Sequence, residues 1–219
     1  ADAAEATALI TDALTDQAAD RTAEFEAINV KAKEAADTVQ PQMGYLDAIR
    51  RALPRDGFFV EEVSQMGFTA RFGFPVYAPR QYVTCAYQDN LGFGYNTALG
   101  VKVANPDKVG VSVSGDGGFM FGMQEMATAV QHGIGVIAVV FNNNAYGNVR
   151  RDQVNGFDGR LLGSELVNPD FVAMASSFGM PATQATTPAE LEAAIEKAIA
   201  DGGPAFIEVP VETGSETSP

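Results

Sequence analysis

The chain has 219 residues, 46% of them hydrophobic and 19% charged, with a formal net charge of −14. That length suffices for one large domain with a full core, and 28 acidic against 14 basic residues leave no basic stripe for nucleic acid. No apolar run reaches the roughly 18 residues of a membrane-spanning helix, no signal peptide is visible, and the single cysteine, Cys85, rules out an internal disulfide. A cytoplasmic setting is therefore expected, without nucleic-acid or membrane partners. The acidity belongs to the flanks: nine acids and three bases in residues 1–40, seven acids and one base in 182–219.

In chain order, residues 1–38 read as helix, with apolar faces at Leu9, Ile10 and Leu14 and at Phe25, Ile28 and Ala32. This is an arm or linker with little core of its own, ended by Pro41. A helix is expected over Tyr45–Leu53, closed by Pro54 and Gly57, then a strand over Phe58–Val63. Residues 64–80 are mixed, broken by Gly67, Gly73, Pro75 and Pro79. A short strand follows at Gln81–Thr84, a glycine-rich piece at Leu91–Gly94, and a helix at Thr97–Ala104, stopped by Pro106.

The stretch from Val109 to Gly147 reads strand, acidic glycine turn, helix (Phe119 to about Gln131), strand (Val136–Phe141), then three asparagines. Such a unit builds a parallel sheet. Residues 147–163 are polar and read as a loop at their centre. Asn168-Pro169 is expected to start a helix with proline at its first position, running to Phe178 and capped by Gly179. A strand at Ala182–Ala185 precedes a helix opened by the capping box Thr187-Pro188-Ala189-Glu190, with Leu191, Ile195 and Ile199 inward. Gly202-Gly203 ends it, Phe206–Val209 is the last strand, and 211–219 is expected to be a flexible tail. The sum is an α/β fold: an open, mostly parallel six-stranded sheet with helices on both faces, over about 41–210, preceded by a helical arm over 1–40.

The two polar clusters of the Val109–Gly147 unit fall where adjacent strands end, and in an open α/β sheet the carboxyl ends of strands are where ligands bind. Gly115, Gly117 and Gly118 flank Asp116. Glycine opens backbone angles closed to other residues and lets the main chain approach a ligand. The amides of Gly117 and Gly118, with those of the following helix, suit an anion. A carboxylate beside a bound phosphate is repulsive unless a cation lies between them, so Asp116 implies a divalent ion. Hard oxygen ligands are what Mg²⁺ prefers, and the asparagines one strand away supply more of them.

Gly115-Asp116-Gly117, 24 intervening residues and Asn142-Asn143 resemble the cofactor motif of the thiamine diphosphate-dependent enzymes. Leu91-Gly92-Phe93-Gly94, Ala98-Leu99-Gly100, Ala104, Pro106, Gln124-Glu125, Asn168-Pro169-Asp170-Phe171 and Pro204–Val209 are similar to the acetolactate synthase group. The likeness covers about 40–210 and corresponds to that group's C-terminal, diphosphate-binding domain. It implies thiamine diphosphate and Mg²⁺ as cofactors. Asp116, Asn143 and the Ala145 carbonyl would be the metal ligands, and the amides of Gly117 and Gly118, beside Gly115, would hold the diphosphate. Leu91 would lie under the bent cofactor, Tyr146 and Gly147 would be among the residues that bind it, and Tyr146 and Asn148 are expected to line the entrance. Gln65 alone matches the family's Gly-Gln-His position; Ser64 and Met66 depart from it.

The resemblance further implies decarboxylation of a 2-oxo acid followed by carboligation, in a homo-oligomer. The activating glutamate belongs to a pyrimidine-binding domain, supplied by another subunit. Nothing in this sequence matches that domain, so no catalytic residue is assigned here, and the chain is expected to be a piece of a longer protein, inactive alone. Two other readings stand beside this one: a subunit of a 2-oxo acid oxidoreductase, whose cluster-bearing forms need more cysteines than Cys85, and a non-catalytic binding module that keeps the fold. His132 is expected to meet a helix dipole at the surface, Cys85 to be a packed thiol, Glu125 to be structural, and Arg150 and Arg151 to face solvent.

Overall fold

The structure, a computed structural model, describes residues 2–14 and 20–214. The chain divides into two compact units, Ala1–Glu34 and Ala35–Pro219. The first contains α1 (Ala3–Ala13) and most of α2 (Thr22–Ala36), none of whose residues is buried. The single helical run expected over 1–38 is thus interrupted: Leu14 and Asp20–Arg21 are not helical, and 15–19 lie outside the described residues.

The second unit runs α3 (Gln42–Ala52), β1 (Phe58–Glu61), α4 (Gln65–Gly73), β2 (Tyr82–Val83), α5 (Gly94–Ala104), β3 (Gly110–Gly115), α6 (Asp116–Phe119), α7 (Met126–His132), β4 (Val136–Asn142), α8 (Gly147–Gly156), α9 (Phe171–Ser177), β5 (Ala182–Gln184), α10 (Pro188–Asp201) and β6 (Ala205–Pro210). The six strands form one sheet in the order β2-β1-β3-β4-β6-β5. Every pair is parallel, where the sequence led only to a mostly parallel sheet.

Strand alternation sorts the core into two layers. Ile137, Val139 and Phe141 of β4 face α3, α4 and α10, where Leu46, Ile49, Met66, Leu191 and Ile195 meet them. Val136, Ala138 and Val140 face α5, α7 and α9, with Tyr95, Leu99, Met126 and Phe171. Being buried on both faces makes β4 read as a continuous apolar run. The helix after β1 packs on one face and the helices after β3 on the other, so the connections that follow these paired strands leave on opposite faces. This is a topological switch point, the place where such sheets bind ligands.

Four expected elements differ, each for a local reason. Residues 65–73 form α4 rather than a broken stretch. Ser64 Oγ accepts the Gly67 N–H at 3.1 Å as an N-cap. Gly67 is there because a Cβ would lie 2.1 Å from the Glu62 carbonyl, not because the helix breaks. The run from Phe119 to Gln131 is not one helix: Gly122 separates the turn α6 from a 3₁₀ turn at Met123–Glu125 and from α7. A Cβ at Gly122 would lie 2.3 Å from the Asn96 amide. Residues 147–156 form α8 instead of a loop, and none of them is buried, so no apolar periodicity announces the helix. The helix expected at Asn168-Pro169 begins at Phe171, because Asp170 is its cap and accepts the Ala173 N–H at 2.9 Å.

Aromatic packing closes the second layer. The Phe206 ring lies 5.3 Å from Phe119 and 6.3 Å from Phe171, all three buried. Phe206→Ala should therefore cost about 3–5 kcal/mol, read as a lower urea midpoint at unchanged slope.

Candidate functional site

The site is built where β1, β3 and β4 end. Gly115 pairs with Phe141 across β3 and β4, which sets Asp116 beside the asparagine loop. A cavity of about 540 Å³ opens there. Its wall includes Gly115, Asp116, Gly117 and Gly118 from the turn, and Asn143, Ala145, Tyr146 and Gly147 from the loop after β4. Gln65 from α4 and Leu91 from the segment before α5 complete the set, so all ten residues singled out in the sequence line one space.

The glycines serve close approach and not unusual backbone angles: none of Gly115, Gly117 and Gly118 has positive φ. A Cβ at Gly118 would lie 1.7 Å from Glu62 Oε1, and one at Gly117 would lie 2.4 Å from the Tyr146 ring. Gly115 has only an ordinary 3.6 Å neighbour, Ser64 Cβ. The helical turn begins at Asp116 itself, so the Gly117 and Gly118 amides belong to its first turn, whose N–H groups have no intrahelical acceptor.

Asp116 is buried, and burial pushes its carboxyl above the ordinary carboxylate range, opposed by the Asn168 amide and nearby backbone N–H groups. Asn168 Nδ2 donates to Asp116 Oδ2 at 2.6 Å and to Asn142 Oδ1 at 2.9 Å. The Ala145 N–H donates to Asn143 Oδ1 at 3.2 Å and also acts on the Asp116 carboxylate. The Ala145 N–H thus ties the asparagine loop at Asn143 and lies close enough to Asp116 to favour its ionised form. Asn142 is occupied elsewhere: its Nδ2 donates to Glu208 Oε1 at 2.8 Å, and its Oδ1 accepts the Asn144 N–H. Backbone bonds between Tyr146 and Ser164 and between Leu166 and Asn144 hold the loop in place. Gln65 donates through Nε2 to Asn148 Oδ1, joining the start of α4 to α8.

Asn148, expected at the entrance with Tyr146, lines the cavity and holds Gln65. Two further contributors carry no local signal of a site in the sequence. Asn168 sits where a helix start is expected, yet its amide bridges Asp116 and Asn142. Glu62 lies under Gly118 and accepts the Gly92 and Gly94 N–H groups at 3.1 and 2.8 Å. The signal for Glu62 was the acidic pair that closes an otherwise apolar strand, Phe58-Phe59-Val60-Glu61-Glu62. Of the residues set apart, His132 is exposed at the end of α7, as expected. Arg150 and Arg151 are half-buried rather than fully exposed, and Arg151 pairs with Asp152 at 3.0 Å. Among the described residues no group of three or more His, Cys, Asp or Glu could hold a metal ion; where the glycine turn meets the asparagine loop, the cavity wall offers the Asp116 carboxylate, the Asn143 amide and the main chain.

A doubly wound parallel sheet with its cavity at the switch point defines a cofactor-binding α/β domain. The chain belongs to the thiamine pyrophosphate enzymes, as their C-terminal TPP-binding domain: residues 62–209 match that family. It is 32% identical over 161 residues to an acetolactate synthase large subunit of Haemophilus influenzae, covering 73% of this chain and 28% of that protein. It is 32% identical over 165 residues to a probable 2-ketoarginine decarboxylase of Pseudomonas aeruginosa, covering 75% and 29%. The solved thiamine diphosphate-dependent 4-hydroxybenzoylformate decarboxylase of Rhodococcus jostii superposes with a TM-score of 0.73 at 26% identity, covering 80% of this chain and 33% of that one. The chain thus spans under a third of the length of the curated relatives it matches. No helix among the described residues is long and apolar enough to cross a membrane.

Cys85 lies near this site, buried, with Sγ 3.3 Å from Asp89 Oδ1. Burial first, and the Asp89 carboxylate second, push its thiol up to about 11. Since the thiolate is the nucleophile, a raised value means less thiolate at neutral pH. Alkylation by iodoacetamide should be slow near pH 8 and keep rising about tenfold per pH unit beyond the ordinary thiol value of about 8.5. A plateau at that ordinary value would contradict the environment described.

Proposed function

We propose that Asp116, the Asn143 side chain and the Ala145 carbonyl hold Mg²⁺, and that the Gly117 and Gly118 amides take the diphosphate of thiamine diphosphate. The observation that carries this reading is that Asp116, Asn143 and Ala145 line one cavity beside the Gly117–Gly118 turn, in a chain of the thiamine pyrophosphate family. The donor set fits the ion: hard oxygens, with room for water and phosphate oxygens. The raised Asp116 carboxyl supports it too, because a buried acid that resists ionisation is relieved by a cation. Asn143 is preferred to Asn142 because the latter is committed to Glu208, Asn168 and the Asn144 amide.

Thiamine diphosphate supplies an electron sink for cleavage next to a carbonyl. The chain's own residues bind and orient it. Asn168 fixes the Asp116 carboxylate by its 2.6 Å bond. Leu91 presents an apolar surface to the ring half of the cofactor, Tyr146 packs on Gly117 and flanks the entrance with Gly147, and Gln65 meets the phosphate end with Asn148 behind it. The enzyme carrying this domain decarboxylates a 2-oxo acid and transfers the remaining carbons to an acceptor, as the acetolactate synthase and decarboxylase names of its relatives suggest. A pyrimidine-binding domain of another subunit supplies the activating glutamate, in a homo-oligomer. A reducing, cytoplasmic compartment suits the free Cys85.

Calorimetric titration with thiamine diphosphate and Mg²⁺ tests the reading. Saturable heat that requires both is expected, and Asp116→Ala should weaken it by at least about a hundredfold, since even partners behind a metal ligand cost 10–100-fold. Asn168→Ala, which acts through Asp116, should cost about 10–100-fold. Binding unaffected by Asp116→Ala would overturn the assignment.

A further inference from the structure

Glu62 is fully buried at the carboxyl end of β1. Its Oε1 accepts the Gly92 N–H at 3.1 Å; its Oε2 accepts the Gly94 N–H at 2.8 Å and the Ser114 hydroxyl at 3.4 Å. Among the described residues no ion pair reaches it, and burial holds its carboxyl above the ordinary range against those three donors. A buried acid without a cation is a costly way to fill space. An apolar side chain would fill the same volume at less cost, so the reason for a carboxylate lies in what it holds.

It holds two separate pieces of the cavity. The Leu91–Gly94 segment is a tight turn, with φ of +83° at Gly92, and two of its N–H groups end on the Glu62 carboxylate. The diphosphate turn lies against the same group: the position a Cβ would take at Gly118 is 1.7 Å from Glu62 Oε1 and 3.3 Å from Leu91 Cδ2. Ser114, two residues before Asp116, donates to it as well. One carboxylate therefore touches the segment bearing Leu91, the end of β3 and the glycine turn.

We propose that Glu62 is a positioning residue that sets Leu91 against the Gly117–Gly118 turn, so that the ring half and the phosphate half of the cofactor are gripped in register. This rests on the reading that both halves bind at this cavity. Glu62 touches neither half; it acts through the Gly92 and Gly94 amides.

The test compares two probes on the protein carrying this chain: thiamine diphosphate with Mg²⁺, and inorganic diphosphate with Mg²⁺. The second has no ring to rest on Leu91. Glu62→Gln replaces one accepting oxygen by a donor facing a backbone N–H. It should weaken thiamine diphosphate about tenfold or more while leaving inorganic diphosphate within about twofold. Leu91→Ala should show the same selective loss, and the double variant should lose no more than the worse single one, as for residues acting on one contact. Equal loss of both probes, no loss, or an additive double variant would overturn the proposal. If Glu62→Gln does not fold, Glu62→Asp, which keeps the charge and shortens the reach, carries the same expectation. Collapse of both would make the carboxylate a folding group and overturn the proposal too. A wild type that binds neither probe, or whose binding survives Asp116→Ala, would instead remove the cofactor reading on which this inference stands.

Discussion

Two acids held out of water govern this domain. Asp116 belongs to the Gly115–Gly118 turn and Glu62 lies against that turn at Gly118, and burial raises the carboxyl of each. Neither could be kept inside without donors aimed at it. The donors come from remote parts of the chain: Asn168 from the segment before α9, Gly92 and Gly94 from the segment before α5, Ser114 from β3. The turn itself is squeezed between Glu62 and Tyr146 so closely that Gly117 and Gly118 have no room for a side chain. Ordering the acids thus orders the cavity wall.

The topology explains why this concentration of polar groups is tolerated at one edge only. The middle of the sheet is covered on both faces by apolar layers, and β3 and β4 are buried over nearly their whole length. The buried carboxylates of the sheet, Glu61 and Glu208, accordingly lie near the carboxyl ends of their strands. At the switch point the covering helices leave on opposite faces, and a gap opens that no helix fills. Consecutive acids at the end of β1 use both sides of that gap. Glu61 turns toward α4, where Arg71 Nε donates to it at 2.9 Å, and Glu62 turns toward α5. Strand alternation alone, carried one residue past the strand, separates a paired acid from one committed to the cavity.

How much of this could be read beforehand follows the same logic. The strands were legible because burial on one or both faces leaves a period in the residues, and α10 because Thr187 caps it, accepting the Glu190 N–H at 3.2 Å. The cavity residues were legible because the turn and the asparagine loop are each continuous in sequence and one helix apart. What stayed hidden depends on distance or on the lack of a buried face. α8 rests on no core, so nothing apolar marks it. Asn168 is 52 residues from Asp116, and its role exists only once the chain is folded. Gly67 looked like a helix breaker because a close backbone approach leaves the same letter as a break.

The three consecutive asparagines show how a repeated residue can conceal separate tasks. Successive side chains at a strand end point to opposite sides. Asn142, the last residue of β4, points toward β6 and cross-links it through Glu208, while its oxygen takes the Asn168 and Asn144 donors. Asn143, the first residue beyond the strand, lines the cavity and accepts the Ala145 N–H. Asn144 adopts a φ of +55°, a left-handed conformation that asparagine tolerates better than most residues. That turn brings Ala145 back beside Glu165 in an antiparallel bridge and presents the Ala145 N–H to Asn143. Replacing any one of the three would remove a different thing: the tie between strands, the oxygen at the cavity, or the bend that aims the loop. The identity of the residues follows from a single property used three ways, a short side chain that can donate, accept, and leave its own backbone free to turn.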